Sequence, residues 1–383
     1  MSKIDDLIKE LCPNGVVYKN LGSFCDIKTG AGVTKKDIVE NGKYKIISGG
    51  ILPMGMCDKT NRKGNTVTIA RAGTAGFVNF IEDDFYLNDK CFSIIPKEEN
   101  LIENKYLYYS LSNIQNRIYE LKSSGTVPTV NTEKVSKIVV PIPPIEIQEE
   151  IVKILDKFGE LESELESELE ARKSQYEFWR GKLLNQKNEI KKLSDVSDVI
   201  DSLHATPQYV ENGYPMIRVA DVKGGIVNTT DALRVDAETY NKFISKYKPQ
   251  KGDIIISRVG SFGNVCIVGD EDICLGQNTS VIHPKIDDKY LYYYLSSDNV
   301  QDWIKNNVNG AGYKSLSLAN INEIPIAVPS IEEQKRVANI LDKFDKLVND
   351  ITVGLPAEIE LRRKQYEYYR NKLLSFEELS VSE

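Results

Sequence analysis

The sequence of 383 residues contains no apolar run of the ~18–20 residues that a membrane span requires. Its opening, MSKIDDLIKE, lacks the basic and apolar regions of a signal peptide. The six cysteines never form a C-x-x-C motif, and only two histidines, His204 and His283, could add ligands to a structural zinc site. These absences predict a cytoplasmic protein with reduced, mostly buried thiols, no bound metal and no membrane contact.

Motifs for catalysis are equally scarce. The segment Gly312-Tyr313-Lys314-Ser315 lacks the glycine that precedes lysine in a phosphate-binding loop. Asn-Pro-Pro-Tyr and Asp-Pro-Pro-Tyr, which are typical of adenine methyltransferases, do not occur. With two histidines, neither near a convincing nucleophile, a hydrolytic triad is not indicated. The sequence therefore predicts no catalytic residue. A nuclease that works without partner subunits is a possible function that these motifs support least.

The sequence does contain an internal repeat, one unit of roughly 185 residues used twice. The matching blocks, in the same order in both copies, are residues 19–24 and 191–196, 64–78 and 252–265, 105–112 and 289–296, 143–158 and 329–344, and 175–184 and 365–374. The third pair, KYLYYSLS and KYLYYYLS, differs at one position. Five blocks in one order indicate a duplication rather than chance.

The residue composition and the spacing of apolar residues change along each copy. Short β-rich runs and turn residues come first, with a helix predicted at each KYLYY segment. A proline-rich hinge, residues 141–144, then precedes apolar residues that recur every three or four positions from Ile147 to Leu183. This narrow stripe is typical of a coiled-coil seam. Because the ends of a compact domain lie near each other, we expect the two long helices to pack antiparallel.

Four segments resemble the specificity subunits of type I restriction-modification systems. They are PIPPIEIQEEIVKILDKF at 141–158, ILDKF at 340–344, GLPAEIELRRKQYEYYRNKLL at 354–374, and DSLHATP at 201–207 followed by GYP at 213–215. The resemblance extends over residues 10–376. It implies an α+β fold, with two mixed α/β target-recognition domains in a tandem pseudo-repeat, separated by two long antiparallel helices that form a coiled-coil spacer.

The predicted borders follow from this organisation. They are residues 1–142 for target-recognition domain 1, 143–187 for the central long helix, 188–328 for target-recognition domain 2, 329–376 for a C-terminal long helix kinked near 354–356, and 377–383 for a tail.

The resemblance also implies a function. The chain is expected to be a non-catalytic subunit that reads a bipartite sequence in double-stranded DNA and recruits two methyltransferase subunits, with restriction subunits as further partners. No cofactor is expected on this chain, because S-adenosylmethionine, and ATP with Mg, belong to the partner subunits. The alternative is a silent or scaffold copy that no longer reads DNA.

Arg71 and Arg258 occupy equivalent positions, each at the end of a strand and before a glycine-rich turn. Arginine there can contact a phosphate, the O6 and N7 edge of guanine, or a carboxylate of its own domain. All three alternatives stay open at this point. The turns that follow add Thr74 and Ser261 as candidate DNA contacts.

The other candidate DNA contacts are polar or basic residues in predicted loops. They are Lys28, Thr29, Lys35, Lys36, Asn88, Lys90, Thr126 and Asn131 in the first copy, and Gln277, Asn278, Tyr313, Lys314 and Ser315 in the second. The tyrosine clusters at 106–109 and 292–294 suggest base stacking, but their helical spacing favours packing.

The charge is unevenly divided. The chain carries a formal net charge of −7, yet residues 1–140 hold 19 Lys and Arg against 16 Asp and Glu. Residues 193–328 hold 12 against 17. Only the first predicted recognition domain is basic, so we expect the chain alone to bind DNA weakly and with a modest salt dependence. Partner subunits would then supply much of the charge that neutralises phosphates.

Overall fold

The computed structural model describes residues 3–98, 100–124, 127–186, 188–308, 314–350 and 352–379, with the side chain of Lys35 left out. The chain divides into two compact units. The first unit comprises the residues up to Leu165 and those from Ile359 onward, and the second unit is Glu166–Glu358. No helix within the described ranges is long and apolar enough to cross a membrane.

The first unit is built on nine strands and a set of helices of very different length. The strands are β1 (Val17–Asn20), β2 (Cys25–Thr29), β3 (Tyr44–Ile47), β4 (Gly55–Cys57), β5 (Thr66–Ala70), β6 (Val78–Ile81), β7 (Tyr86–Leu87), β8 (Cys91–Pro96) and β9 (Val139–Ile142). The helices are α1 (Lys3–Leu11), α2 (Leu21–Phe24), α3 (Asn104–Asn113), α4 (Gln115–Glu120), α5 (Thr132–Ser136) and α6 (Ile145–Leu184). The division between the units falls inside α6.

The second unit repeats this order. Its strands are β10 (Glu189–Lys192), β11 (Ser197–Asp201), β12 (Tyr214–Ile217), β13 (Arg234–Val235), β14 (Ile254–Ser257), β15 (Val265–Ile267), β16 (Cys274–Leu275), β17 (Thr279–Pro284) and β18 (Pro325–Val328). Its helices are α7 (Leu193–Val196), α8 (Ala237–Phe243), α9 (Asp288–Leu295), α10 (Asp298–Asn306), α11 (Leu318–Asn322), α12 (Ile331–Asn349) and the start of α13 (Leu355–Leu373). The second division between the units falls inside α13.

Each unit contains the same three sheets. A four-stranded antiparallel sheet has the order β2-β8-β5-β6 in the first unit and β11-β17-β14-β15 in the second. A three-stranded sheet has the order β4-β3-β7 or β13-β12-β16, with one antiparallel and one parallel pair. A two-stranded sheet joins β1 to β9, or β10 to β18. The repeat predicted from the sequence is therefore a structural duplication.

The central strands show why these runs become strands. All five residues of β5, TVTIA, and all four of β14, IIIS, are buried. β-Branched side chains suit a strand that is covered on both faces. The tyrosine helices α3 and α9 are part of the hydrophobic cores, and Tyr106 and Tyr290 are almost completely buried. Packing, rather than base stacking, is what the burial of these tyrosines supports.

The long helix α6 begins directly after Pro143-Pro144 and extends over forty residues. In the C-terminal part of the chain, α12 ends at Asn349 and α13 begins at Leu355. Of the kink or break expected near residues 354–356, the structure shows a break between two helices. A Cβ at Gly354 would lie 2.5 Å from the carbonyl oxygen of Lys346, and Pro356 has no N–H to donate, so it fits only the first turn of α13.

The long helices pack antiparallel within each unit. In the first unit, the ring of Phe158 lies 5.5 Å from that of Tyr369, and Arg363 Nε lies 2.6 Å from a carboxylate oxygen of Glu162. Later residues of α6 thus meet earlier residues of α13. In the second unit, the rings of Tyr176 and Phe344 lie 6.3 Å apart, and Gln186, just after α6, forms a side-chain hydrogen bond with Glu333 near the start of α12. The predicted antiparallel arrangement is confirmed inside each unit.

A buried glutamine near the start of each long helix, Gln148 in α6 and Gln334 in α12, attaches the helix to the globular part of its unit. Gln148 is fully buried; its Oε1 accepts from the backbone N–H of Glu103 at 2.9 Å, and its Nε2 donates to the carbonyls of Leu101 and Pro143. Gln334 makes the matching bond to the N–H of Asp287 at 3.0 Å. Since buried amides must be paired, these contacts fix the angle at which the helix leaves the domain.

An aspartate about two turns further along each helix makes a second contact with the globular part. Lys105 Nζ lies 2.8 Å from a carboxylate oxygen of Asp156 in the first unit. Lys289 Nζ lies 3.0 Å from a carboxylate oxygen of Asp342 in the second. In each unit, therefore, the repeated segment ILDKF of a long helix contacts the repeated segment KYLYY of a tyrosine helix.

Candidate nucleic-acid interface

Three turns meet at one edge of the four-stranded sheet in the first unit. These are residues 71–74 after β5, residues 88–90 before β8, and residues 129–131 before α5, which together we call loop edge 1. The N–H of Arg71 donates to the carbonyl of Lys90 at 2.8 Å, and the N–H of Val130 donates to the carbonyl of Arg71 at 2.9 Å. The backbone at Arg71 thus joins all three turns.

The second unit repeats this edge with the same backbone bonds. Residues 258–261, 276–278 and 315–317 form loop edge 2. The N–H of Arg258 donates to the carbonyl of Asn278 at 2.9 Å, and the N–H of Leu316 donates to the carbonyl of Arg258 at 2.8 Å. The two edges share a backbone framework, so they differ through their side chains.

The two equivalent arginines have different surroundings. Arg258 Nη1 lies 2.5 Å from Oδ1 of Asp201, and its Nε donates to the carbonyl of Leu316 at 3.1 Å. The side chain of Arg71, by contrast, is exposed and forms no hydrogen bond or ion pair with any other residue that the structure describes. Arg258 fits the structural alternative, whereas Arg71 is left available to a ligand.

One sequence difference explains this asymmetry. Strand β11 pairs with β17 in the same register as β2 pairs with β8, so Asp201 stands where the first unit has Thr29. Thr29 has no carboxylate to neutralise Arg71. Burial raises the pKa of Asp201, but hydrogen bonds from Arg258, His204 and Ser280 outweigh burial and hold that pKa below its ordinary value. Asp201 is therefore ionised at neutral pH and occupies Arg258.

The remaining candidates of the first unit differ in their exposure and in whether another residue of the domain already binds them. Lys90 is exposed, with no side-chain partner among the described residues, and the exposed Asp89 precedes it. Lys28 is exposed but pairs with Asp26 at 3.1 Å. Thr29 is exposed, while Thr74 is half-buried and donates its N–H to the carbonyl of Gly49. Loop edge 1 thus presents two unpaired cations, Arg71 and Lys90.

Two candidates serve the structure of loop edge 1 itself. Asn88 is 4% exposed, and its Oδ1 accepts from Ser48 Oγ at 3.1 Å and from the N–H of Lys90 at 3.0 Å. Asn131 caps α5 by accepting from the N–H of Lys134. Asn88 is thus engaged inside the domain, whereas Asn131 is exposed and uses its Oδ1 in the helix cap.

Another candidate lies apart from loop edge 1. Lys36 belongs to the 3₁₀ turn Lys35–Asp37 and, with Val39, Cys57 and Tyr86, lines a cavity of about 210 Å³ beside the three-stranded sheet. Thr126, Tyr313 and the side chain of Lys35 lie outside the described part of the chain.

Loop edge 2 gathers the candidates of the second unit. Ser261 is exposed, and its carbonyl accepts from the hydroxyl of Ser257. Gln277 Nε2 lies 3.4 Å from Thr206 Oγ1, and Asn278 adopts a left-handed backbone with φ of 64°. In register, Asn278 matches Lys90, whereas Gln277 matches Asp89. Lys314 is exposed, and the backbone of Ser315 pairs with that of Val259 in an isolated antiparallel β-bridge.

Asp201 is the residue of this interface that the sequence prediction missed. It decides whether the neighbouring arginine is free, although it carries no motif beyond the DSLHATP segment that it opens. Aligning the two copies from β2 and β11 would have shown Thr29 opposite Asp201. Continuing the matching blocks 19–24 and 191–196 by five residues without a gap gives this alignment, although the sequence does not show that Asp201 contacts Arg258.

One cluster outside the loop edges resembles acid–base machinery. His283 Nδ1 lies 2.8 Å from Oδ1 of Asp253, and the hydroxyl of Tyr247 donates to the other oxygen of Asp253 at 2.8 Å. Burial and this hydrogen bond raise the pKa of Tyr247, so its hydroxyl stays protonated and is a poor nucleophile. The N–H of Gln250 also donates to Asp253. The cluster completes the hydrogen bonding of a buried carboxylate.

Metal and thiol chemistry find little support in the described ranges. No group of three or more His, Cys, Asp or Glu residues is arranged to hold a metal there. All six cysteines are free thiols, five of them buried. Burial raises the pKa of Cys91 and of Cys266 to about 12. Such thiols are unreactive at neutral pH.

Comparisons with known proteins agree with the duplicated architecture. The family model described as the type I restriction modification DNA specificity domain matches residues 13–171 and 185–361. A Haemophilus influenzae protein assigned as a type I restriction enzyme specificity subunit is 34% identical over 336 residues, which is 82% of this chain and 83% of that protein. The EcoR124I/EcoR124II specificity subunit of Escherichia coli is 32% identical over 78% of this chain and 77% of its own length.

A solved structure shows the same fold. The S subunit of a type I restriction-modification system from M. genitalium has a TM-score of 0.63 at 19% identity, covering 94% of this chain and 96% of that one. The two domains, their α+β fold and the long helices thus define a protein of the DNA-specificity class. The chain belongs to the type I restriction-modification specificity-subunit family, a family whose role is target recognition rather than catalysis.

Proposed function

We propose that this chain reads a bipartite DNA sequence, one half with each loop edge, while its long helices hold the two halves at a set distance. The observation that carries the proposal is that the two loop edges share one backbone framework but present different side chains. A duplicated reader with altered contacts is what two unlike half-sites require. Separated base pairs add about 1–3 kcal/mol of discrimination each, so two readers multiply specificity.

The proposal includes partners that supply the chemistry. Two methyltransferase subunits bind the chain and carry S-adenosylmethionine, and restriction subunits with ATP and Mg join them. The uneven charge supports this dependence, because loop edge 1 presents unpaired cations while Arg258 of loop edge 2 is neutralised by Asp201. Few phosphates would be neutralised by this chain alone.

Binding by the assembled complex tests the proposal. The chain is co-purified with its methyltransferase partner and titrated with duplexes that carry the target found by methylation profiling, or the same duplex with one half scrambled. We expect either scrambled half to weaken binding at least a hundredfold, since several mismatches accumulate. Equal affinity for all duplexes would identify a silent or scaffold copy and end the proposal.

A further inference from the structure

An apolar tip projects from the first unit between β3 and β4. It consists of Ile51, Leu52, Pro53 and Met54, and Leu52 is 79% exposed, the most exposed of the large apolar side chains that the structure describes. Ile51 and Met54 are also exposed, and none of the three packs against a hydrophobic core cluster. Three neighbouring exposed apolar side chains on one loop are unfavourable in water and mark an interaction surface.

The base of the tip is fastened to loop edge 1. The N–H of Thr74 donates to the carbonyl of Gly49 at 2.7 Å, and a Cβ on Gly49 would overlap the carbonyl oxygen of Ala72. Ser48 Oγ donates to the buried Oδ1 of Asn88. The tip therefore rises next to the turn that carries Arg71, and Asn88 acts on the interface by holding this loop.

The far side of the tip is restrained as well. The N–H of Met54 donates to the carbonyl of Ile46 at 2.8 Å, and Pro53 has a fixed φ. The backbone of the loop consequently has less conformational entropy to lose on binding, which favours affinity.

The corresponding connection of the second unit, between β12 and β13, is longer and differently built, and its most exposed large apolar side chain is Ile226, at 71%. After β12 the chain enters a 3₁₀ turn, Val219–Asp221, where Arg218 Nε lies 3.0 Å from a carboxylate oxygen of Asp221. Counted from the matching strands β3 and β12, Asp221 takes the place of Ile51, and the buried Val222 takes the place of Leu52. The tip is a property of one reader, as expected of a feature that distinguishes two half-sites.

We propose that the tip is a wedge that inserts Leu52 between two stacked base pairs of the half-site read by the first unit. The unpaired cations Arg71 and Lys90 on the same edge would hold the phosphates beside it. Leu, Ile, Met and Pro are the residue types with which DNA-bending proteins unstack a base step. A step that unstacks easily, such as TA or CA, costs least to open, so the wedge selects sequence through deformability.

Local unstacking of the DNA tests the wedge. The complex with its methyltransferase partner is bound, without S-adenosylmethionine, to duplexes that carry 2-aminopurine at successive positions of each half-site, away from the methylated adenines. We expect the fluorescence to rise at one step of one half-site only. Leu52→Ala should return that signal to the level of free duplex and weaken binding roughly tenfold, the loss of one buried apolar side chain.

Ile226→Ala is the matched control, because Ile226 is 71% exposed but belongs to the second unit. It should leave the signal in the first unit's half-site unchanged. Specific binding with no bright step, or a bright step that persists in Leu52→Ala, would overturn the wedge. So would release of the methyltransferase by Leu52→Ala, since the tip would then dock a protein.

The inference rests on the proposed function, and the two can fail separately. If the wild-type complex binds target and scrambled duplexes equally, the proposed function fails and the wedge falls with it. If target binding stays specific while no step brightens, only the wedge fails.

Discussion

Alanine at the two equivalent arginines should have opposite consequences. Arg258→Ala removes the partner of Asp201, whose side chain is 14% exposed, and leaves that carboxylate with only His204 and Ser280. Arg71→Ala removes an exposed side chain that has no partner among the described residues. The first change should therefore destabilise the second unit, and the second change should weaken DNA binding.

The expected magnitude follows from burial. Removing one partner of a fully buried ion pair costs about 3–5 kcal/mol. Because Arg258 and Asp201 keep 18% and 14% exposure and a histidine remains beside the carboxylate, we expect a loss of about 2 kcal/mol in the free energy of unfolding. With an m-value of about 2 kcal/mol/M in urea, the midpoint should fall by about 1 M.

The chain provides its own probe for this measurement. Its two tryptophans, Trp179 and Trp303, both pack against the hydrophobic core of the second unit. Tryptophan fluorescence during urea unfolding thus reports that unit. Arg71→Ala should leave the midpoint within about 0.2 M, as expected for an exposed site. In DNA titrations of the complex, the same variant should lower the slope of log affinity against log salt by about 1.

Two results would refute this reasoning. An unchanged midpoint in Arg258→Ala would mean that the Asp201 ion pair contributes nothing to stability. A midpoint shift in Arg71→Ala as large as that in Arg258→Ala would mean that both arginines are structural. Arg258→Lys is the matched control, because it keeps the charge while losing the bond to Leu316.

Three further outcomes are expected. Thr29→Asp places a carboxylate where Asp201 stands in the other copy, so it should neutralise Arg71 and weaken DNA binding about as much as Arg71→Ala; Thr29→Asn, measured in the same titration, should not. The pKa of Asp201 is below its unfolded value of 3.8, so the stability that wild type holds over Asp201→Asn should be full at pH 5–7 and shrink as pH falls below about 4; a pH-independent difference in unfolding midpoint would contradict this sign. Gln334→Ala orphans the N–H of Asp287 and should cost about 1–3 kcal/mol by tryptophan fluorescence; an unchanged midpoint would show that this bond does not hold α12.

The duplication and the long helices could be predicted because their signals are local and repeated. The prolines before Ile145 place the start of α6, and the spacing of apolar residues gives its packed face. Gly354 and Pro356 indicated an interruption, although the structure breaks the helix completely between Asn349 and Leu355. Helix breaks depend on the cap contacts around them, which spacing alone does not reveal.

The candidate DNA contacts stay predictions, and for them residue type does not tell whether a side chain is already engaged inside the domain. Asn88 and Asn131 have the right chemistry for a base edge but hold a turn and a helix end. Arg71 and Arg258 occupy equivalent positions in the sequence and differ through Asp201, a residue of β11, which is separated from β14 by β17. The apolar tip carried no motif, and its significance comes from exposure and from its attachment to loop edge 1.

A methylation profile of the host DNA tests most directly whether two loop edges read two half-sites. Long-read sequencing is compared between cells that carry the wild-type chain, cells that carry Arg71→Ala with Lys90→Ala, and cells without the gene. We predict adenine methylation at one two-part motif that is lost with the gene, and that the double variant lowers the methylated fraction while the motif keeps its sequence, because phosphate contacts carry no sequence information. A continuous motif, a motif whose sequence changes in the double variant, or a profile unaffected by deletion would contradict the account.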